Sequence, residues 1–225
     1  MAVESVATSA EAVRSADRLA LRRSPLKRAF DLMLSGCGLA VSLPVWMVIA
    51  VMVKLEDGGD IFFSQDRVGQ GGRIFRVLKF RSMIPDAEAT VGALQARDGD
   101  PRITRTGRWM RATAMDELPQ LLSIFRGDMS FVGPRALRPG EIEVHGDGRE
   151  EALEDVPGFA ARCLVPPGLT GVAQIYAPRD IPRRQKFRYD ALYVRHQSFA
   201  LDLRLIALSF WITFRGAWET RGKKF

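Results

Sequence analysis

Residues 32–53 read LMLSGCGLAVSLPVWMVIAVMV, a run of 22 residues without a charge. A helix of that length measures roughly 33 Å, and the hydrocarbon core of a bilayer is about 30 Å thick. The run therefore decides whether this chain is a soluble domain or one tied to a membrane. Two features complicate a straight crossing. Pro44 sits in the interior, where it removes a backbone donor and crowds the preceding turn, and the Ser42 hydroxyl is placed to bond back to a carbonyl. Cations flank both ends: Arg14, Arg18, Arg22, Arg23, Lys27 and Arg28 before the run, and Lys54, Arg67, Arg73, Arg76, Lys79 and Arg81 after it. The positive-inside rule puts both flanks on the cytoplasmic side. Three readings stand: a straight span with a tolerated kink, a buried core helix, and a re-entrant helix that breaks near Pro44 and returns.

The bulk composition fits a folded domain with a membrane element. The chain has 225 residues, 47% of them apolar, and a net charge of +7. Such a core is sizeable, and the charge points to an anionic partner: nucleic acid, anionic lipid or a phosphorylated substrate. Cys37 and Cys163 do not make a disulfide framework, and His145 and His196 with them form no zinc pattern. Residues 1–24 lack the apolar core of a signal peptide and read as a mobile tail, ahead of an apolar helical segment over 25–55 and the remainder of the chain, 56–225.

Beyond the apolar run, Ile61–Ser64 and Arg73–Phe80 are strand-like and the glycines between them mark a turn, giving a β-hairpin that ends near Lys79 and Arg81. Asp86–Ala96 is helix-prone. Arg102, Arg105, Arg108 and Arg111 recur every three residues, a step that drifts around an α-helix. They are either a solvated basic face or contacts for phosphate or lipid headgroups. Glu117–Arg126 fits a helix whose apolar face is Leu118, Leu121, Leu122 and Phe125, with Asp116 as its cap and Gly127 as its stop. Two Gly/Pro-rich loops come next, and Leu205–Phe214 is an apolar run too short to span, suited to a core or interfacial helix.

The segment ATAMDELPQLLS, residues 112–123, places two acids side by side ahead of Pro119. Acids at a helix start are ordinary, since the macrodipole favours them by about 0.3–1 kcal/mol. The same helix end also attracts phosphate. Arg111 lies five residues before Asp116, and other loops offer Lys79, Arg81 and Arg135. An aspartate kept anionic among cations is a nucleophile suited to phosphorus. The residues alone thus lead to a membrane-associated phosphoryl-type transferase. The competing reading is a basic, membrane-anchored scaffold for anionic lipid or nucleic acid. The arginines are dispersed through Gly- and Pro-rich loops without a nucleic-acid-binding signature, so no nucleic-acid partner is expected.

The ordered set KRAFD (27–31), the apolar segment with its central proline, LKFRSM (78–83), DPRIT (100–104), MDELPQL (115–121), GDMSFVGPR (127–135) and PPGLTGVAQ (166–174) resembles the bacterial sugar transferases. These are monotopic phosphoglycosyl transferases that use polyprenyl phosphate and initiate exopolysaccharide, O-antigen and related glycoconjugate assembly. The resemblance spans residues 27 to about 215 and matches the minimal form of the family. It implies an α+β, mainly helical fold: an N-terminal re-entrant membrane helix, a small cytoplasmic catalytic domain with a short β-hairpin, and interfacial amphipathic helices.

The resemblance also implies a chemistry. A UDP-sugar binds with Mg²⁺, and the aspartate of the acid pair attacks its β-phosphate and expels UMP. Polyprenyl (undecaprenyl) phosphate then takes the phosphosugar from the aspartate. Carried over, Asp116 is the nucleophile and a metal contact, and Glu117 is its partner in the dyad. Lys79, Arg81, Arg111 and Arg135 hold phosphates or nucleotide, while Pro134, Gln174 and the Pro167–Gly168 turn shape the pocket. Lys27 and Arg28 face anionic membrane lipids at the bacterial inner membrane. A homodimer is an expected possibility. The segment AQIYAPRD departs from the family pattern, which makes Tyr176 and Arg179 candidates for sugar specificity.

Overall fold

The computed structural model describes residues 24–85, 87, 99–178 and 181–215. The N-terminal tail, nearly all of the helix expected over 86–96 and Arg179 lie outside the described residues. Helix α1 spans Pro25–Asp57. Proline at its first turn suits a position where no N–H is needed. Gly58, at φ 71°, closes it with its N–H on the Lys54 carbonyl at 3.0 Å. The helix is not interrupted at Pro44; the Ser42 hydroxyl bonds the Leu39 carbonyl at 3.3 Å just before it.

Helix α1 is patterned inside out. The residues turned onto the protein are Asp31, Ser35, Ser42, Ile49 and Val53, one stripe along the helix. Val41, Met47, Val48, Val51 and Leu55 are exposed. A water-facing helix buries its apolar face and exposes its polar one; here three polar side chains turn inward and aliphatic ones outward. Only 17% of the most apolar window is buried within the protein, which overturns the core-helix reading. The helix is long and apolar enough to cross a membrane.

The hairpin is longer than the sequence suggests. Strand β1 (Phe62–Val68) pairs antiparallel with β2 (Ile74–Phe80), with Phe63 opposite Lys79, Gln65 opposite Val77 and Arg67 opposite Phe75. Alternation puts all six on one face. Helix α2 (Arg105–Ala112) is next, capped by the Thr104 hydroxyl, which accepts from the Gly107 N–H at 2.9 Å. A 3₁₀ turn over Met115–Gln120 then leads into α3 (Leu121–Arg126).

This differs from the expected helix at Glu117–Arg126. Asp116 is not its cap but lies inside the 3₁₀ turn. Pro119 has no N–H to complete an α-type bond to Met115, so the tighter winding persists until Leu121. Winding at 3.0 instead of 3.6 residues per turn shifts the phase of α3. Leu121, Ser123 and Ile124 face inward and Phe125 is exposed, where the expected face had Phe125 inside. Gly127 stops the helix in the left-handed region, as expected.

The two Gly/Pro-rich loops contain short strands. Strand β3 (Ser130–Val132) pairs in parallel with β6 (Gly168–Thr170). Between them lie a hairpin of β4 (Ile142–Val144) and β5 (Glu150–Ala152) and a short helix, α4 (Phe159–Arg162). Helices α5 (Val172–Tyr176), α6 (Arg183–His196) and α7 (Phe199–Phe214) complete the described residues. The strands run so close that a Cβ on Gly168 would stand 2.1 Å from the Gly133 nitrogen, so only glycine fits there.

Four apolar clusters among the described residues hold these parts together. Phe75 and Val77 pack with Leu121, Ile124 and Met129, joining the hairpin to α3. Phe80 and Met110 pack against Ile49 and Val53 of α1. Val132, Ile175, Tyr193, Leu205 and Ile212 form the third cluster, and Leu137, Leu153, Val156 and Phe187 the fourth. In the Leu205–Phe214 run, Leu205 and Ile212 are core, while Phe210, Trp211 and Phe214 are exposed.

The start of α1 is tied in by charge. Lys27 bonds the Val132 carbonyl at 3.1 Å and Asp202 at 2.6 Å, and the Tyr193 hydroxyl bridges the same two residues. The Arg28 guanidinium donates to the Ile124 and Phe125 carbonyls at the end of α3. These two cations, expected at lipid headgroups, are instead engaged inside the protein: the carboxylate of Asp202 and the open carbonyls of a helix end are stronger local partners.

Candidate active site

The acid pair sits where the hairpin, α2 and the 3₁₀ turn meet. Ala114, at φ 55°, is the one non-glycine in the left-handed region among the described residues. That turn lets Asp116 and Glu117 come directly after the end of α2. Asp116 is 9% exposed. Lys79, from the inward face of β2, reaches Glu117 with its ammonium 2.6 Å from Oε1. Gln120, buried, completes the turn.

The two carboxyls are driven apart in acidity. Burial, and next the charge of Glu117, push Asp116 above the ordinary aspartate range, with Lys79 and Arg111 opposing. Burial acts on Glu117 too, but Lys79, Arg135 and Arg67 outweigh it and hold that carboxyl below its ordinary value. Adjacent acids that cannot both ionise freely separate in this way. Glu117 takes the salt bridge, leaving Asp116 as the less encumbered carboxyl.

Beside Glu117 lies a small pocket lined by Arg67, Lys79, Gln120, Arg135 and the backbone at Gly168. Its wall is the loop 134–137, and each of four successive carbonyls there has its own donor. Pro134 accepts from the Gly168 N–H at 2.9 Å, Arg135 from the Arg162 guanidinium at 2.5 Å, Ala136 from the Arg67 guanidinium at 3.0 Å, and Leu137 from the Val68 N–H at 2.8 Å. Arg162 is in turn fixed by a buried pair with Asp190 at 2.8 Å. A loop with every acceptor engaged presents the Arg135 side chain from a fixed backbone.

Of the residues expected from sequence, Asp116, Glu117, Lys79, Arg111 and Arg135 are brought together, and Pro134 stands in the fixed loop. Arg81 is not. Its guanidinium grips Asp57 (Nη1 to Oδ2 2.6 Å) and bonds the Asp60 and Met83 carbonyls. Gly59 gives it room, since a Cβ there would meet the guanidinium at 2.8 Å. Strand β2 ends at Phe80, so Arg81 leaves the alternation that aims Lys79 and turns to the foot of α1. Gln174, on α5, stands close to Gly171 just before that helix and does not line the pocket. Tyr176 lies on α5 as well.

Sequence reading missed Arg67 and Gln120. The period-two pattern that put Lys79 on a strand would have put Arg67 on the same face, had β1 been extended to Val68. On the β4–β5 hairpin, Glu143, His145 and Glu151 bring three metal-ligating atoms within 4.8 Å of one another. Glu143 caps the Arg183 N–H at 2.7 Å and His145 pairs with Glu151 at 3.0 Å, so these groups serve the fold.

The carboxylate pair and its basic neighbours are thus set in a domain that carries one helix long and apolar enough to cross a membrane. The chain belongs to the bacterial sugar transferase family, whose family model matches residues 22–216. It is 40% identical over 203 residues to an undecaprenyl-phosphate glucose phosphotransferase of Komagataeibacter xylinus, covering 84% of this chain and 37% of the relative. It is 35% identical over 184 residues to a UDP-N-acetylgalactosamine-undecaprenyl-phosphate N-acetylgalactosaminephosphotransferase of Aeromonas hydrophila, covering 80% and 42%. It is 40% identical over 186 residues to the exopolysaccharide production protein PSS of Rhizobium leguminosarum bv. phaseoli, covering 80% and 91%. The chain thus spans less than half the length of the first two relatives and most of the third.

Proposed function

We propose that this chain transfers a sugar 1-phosphate from a UDP-sugar to a polyprenyl phosphate, through a covalent intermediate on Asp116, as the first membrane step of a bacterial glycan. The observation that carries this reading is the division of labour in the acid pair: Glu117 is neutralised by Lys79 at 2.6 Å, while Asp116 has no salt bridge among the described residues and feels the charges of Lys79 and Arg111. In the first step an Asp116 carboxylate oxygen attacks the sugar-bearing phosphorus. The phosphorus–oxygen bond to UMP breaks and UMP leaves with the electron pair. In the second step an oxygen of polyprenyl phosphate attacks the same phosphorus, and the bond to Asp116 breaks, restoring the carboxylate. Atoms balance without a net proton. Lys79, Arg111 and Arg135 counter the charge that builds on the phosphoryl oxygens.

Mg²⁺ takes hard oxygen donors, and the adjacent carboxylates of Asp116 and Glu117 are such a set. Asp116, with Glu117 once released from Lys79, would hold the ion. When bound, it supplies further neutralisation of the diphosphate. The acceptor reaches the site along the exposed aliphatic side of α1, and the cations that flank both ends of its apolar run support a placement at the inner membrane with both ends cytoplasmic. The relatives' names cite glucose and N-acetylgalactosamine, so the sugar is best found by assay. Membranes carrying the chain, given a panel of UDP-sugars and undecaprenyl phosphate, should release UMP, and the Asp116→Asn chain should release none. Wild-type membranes silent with every sugar, or an Asp116→Asn chain with undiminished turnover, sink the proposal.

A further inference from the structure

We infer that Arg67 is a phosphate-binding and positioning residue, the third cation of a basic cluster that it forms with Lys79 and Arg135 beside Glu117. The inference rests on the transferase reading and adds to it a residue on strand β1, far in sequence from the acid pair.

Three observations converge on it. First, the register places it. Arg67 and Lys79 share the inward face of the hairpin, and both line the pocket beside Glu117 and Arg135. Second, the charge there is unbalanced. Three cations surround Glu117, whose carboxylate already pairs with Lys79. Burial, followed by the charges of Arg135 and Arg138, pushes the Arg67 guanidinium down to about 10, against Glu141 and Glu117. A guanidinium crowded by like charge in a partly buried place is a standing cost. An incoming diphosphate would relieve it by giving each cation an anionic oxygen.

Third, Arg67 has two tasks. One nitrogen of its fork bonds the Ala136 carbonyl at 3.0 Å and the other the Gln65 amide oxygen at 2.5 Å. The bond to Ala136 fixes the loop one residue from Arg135, so Arg67 both adds charge and sets the place of its neighbour's charge. A planar fork with five donors does both at once, and an ammonium does not.

The test uses the full chain in lipid nanodiscs. Affinities for UDP and for inorganic pyrophosphate competing with UDP are measured for the wild type, Arg67→Gln and Arg67→Lys over a range of ionic strength. Arg67→Gln should weaken both probes by a similar factor, roughly 10- to 100-fold, and flatten the dependence on salt. Arg67→Lys should recover part of the loss. Unchanged affinities in Arg67→Gln overturn the inference, as does a loss confined to UDP or an unaltered salt dependence, which mark a purely structural role. The transferase reading is judged apart from this, by UMP release from the wild type against Asp116→Asn.

Discussion

Lys79 and Arg81 stand two residues apart, each in contact with a carboxylate, and the two ends of that short segment behave differently. Lys79 meets Glu117 inside the site with one of its three donors. Arg81 meets Asp57 at the foot of α1 and also satisfies two backbone carbonyls. A cation whose donors are nearly all taken by protein groups holds structure together. A cation with donors still available beside a second acid can serve a ligand. Motif spacing made the two look equivalent; the end of strand β2 at Phe80 separated them.

That contrast can be broken in several ways. The largest effect should come at the acid both cations were expected to serve. Asp116→Asn should lower UMP release by roughly 10³-fold or more, as for loss of a nucleophile, with the melting temperature nearly kept. Next comes the pair itself. Lys79→Met should cost about 100-fold in donor turnover with little change in stability. Arg81→Met should do the reverse, lowering stability by about 1.5–3 kcal/mol, the scale of hydrogen bonds to a charged group, while the folded fraction keeps most of its activity. Thermal melts beside UMP assays separate them, and an Arg81→Met chain that melts normally but fails to turn over would return Arg81 to the site.

The smallest effect concerns pH. Attack needs the Asp116 carboxylate, and its pKa is raised, so the rate should fall as pH drops through that raised value. Glu117→Gln removes a like charge and releases Lys79. Both changes lower the Asp116 pKa, so the acidic limb should move to lower pH, visible in the residual rate or in ¹³C-carboxyl NMR of Asp116. Arg81→Met should leave the limb in place. A limb unmoved by Glu117→Gln would mean that the two carboxyls do not share the site electrostatically.

Much of this molecule was legible in order along the chain. The uncharged run of 32–53 was legible as a helix long enough to cross a membrane, while its exposed aliphatic face came only with the fold. The hairpin came from β-prone segments around glycines, and Asp116, Glu117, Lys79, Arg111 and Arg135 from the adjacent acids, the cations near them and the resemblance to the bacterial sugar transferases. The phase of α3 was not legible. It depends on the 3₁₀ winding that Pro119 prolongs up to Leu121, which a helical period read over 117–126 does not contain. Nor were the inward roles of Lys27 and Arg28, whose partners Asp202 and Ile124 are far away in sequence.

What the sequence determined by itself was the long apolar helix, the first hairpin and the residue types that chemistry would need, because periodicity, turn glycines and charge are local properties. What tertiary structure alone decided was which charges meet. Antiparallel register brought Arg67 into line with Lys79, the parallel contact of Gly133 with Gly168 fixed the loop that carries Arg135, and the end of a strand sent Arg81 elsewhere. Electrostatic energy depends on distances between groups that the chain separates by dozens of residues, and only folding sets those distances.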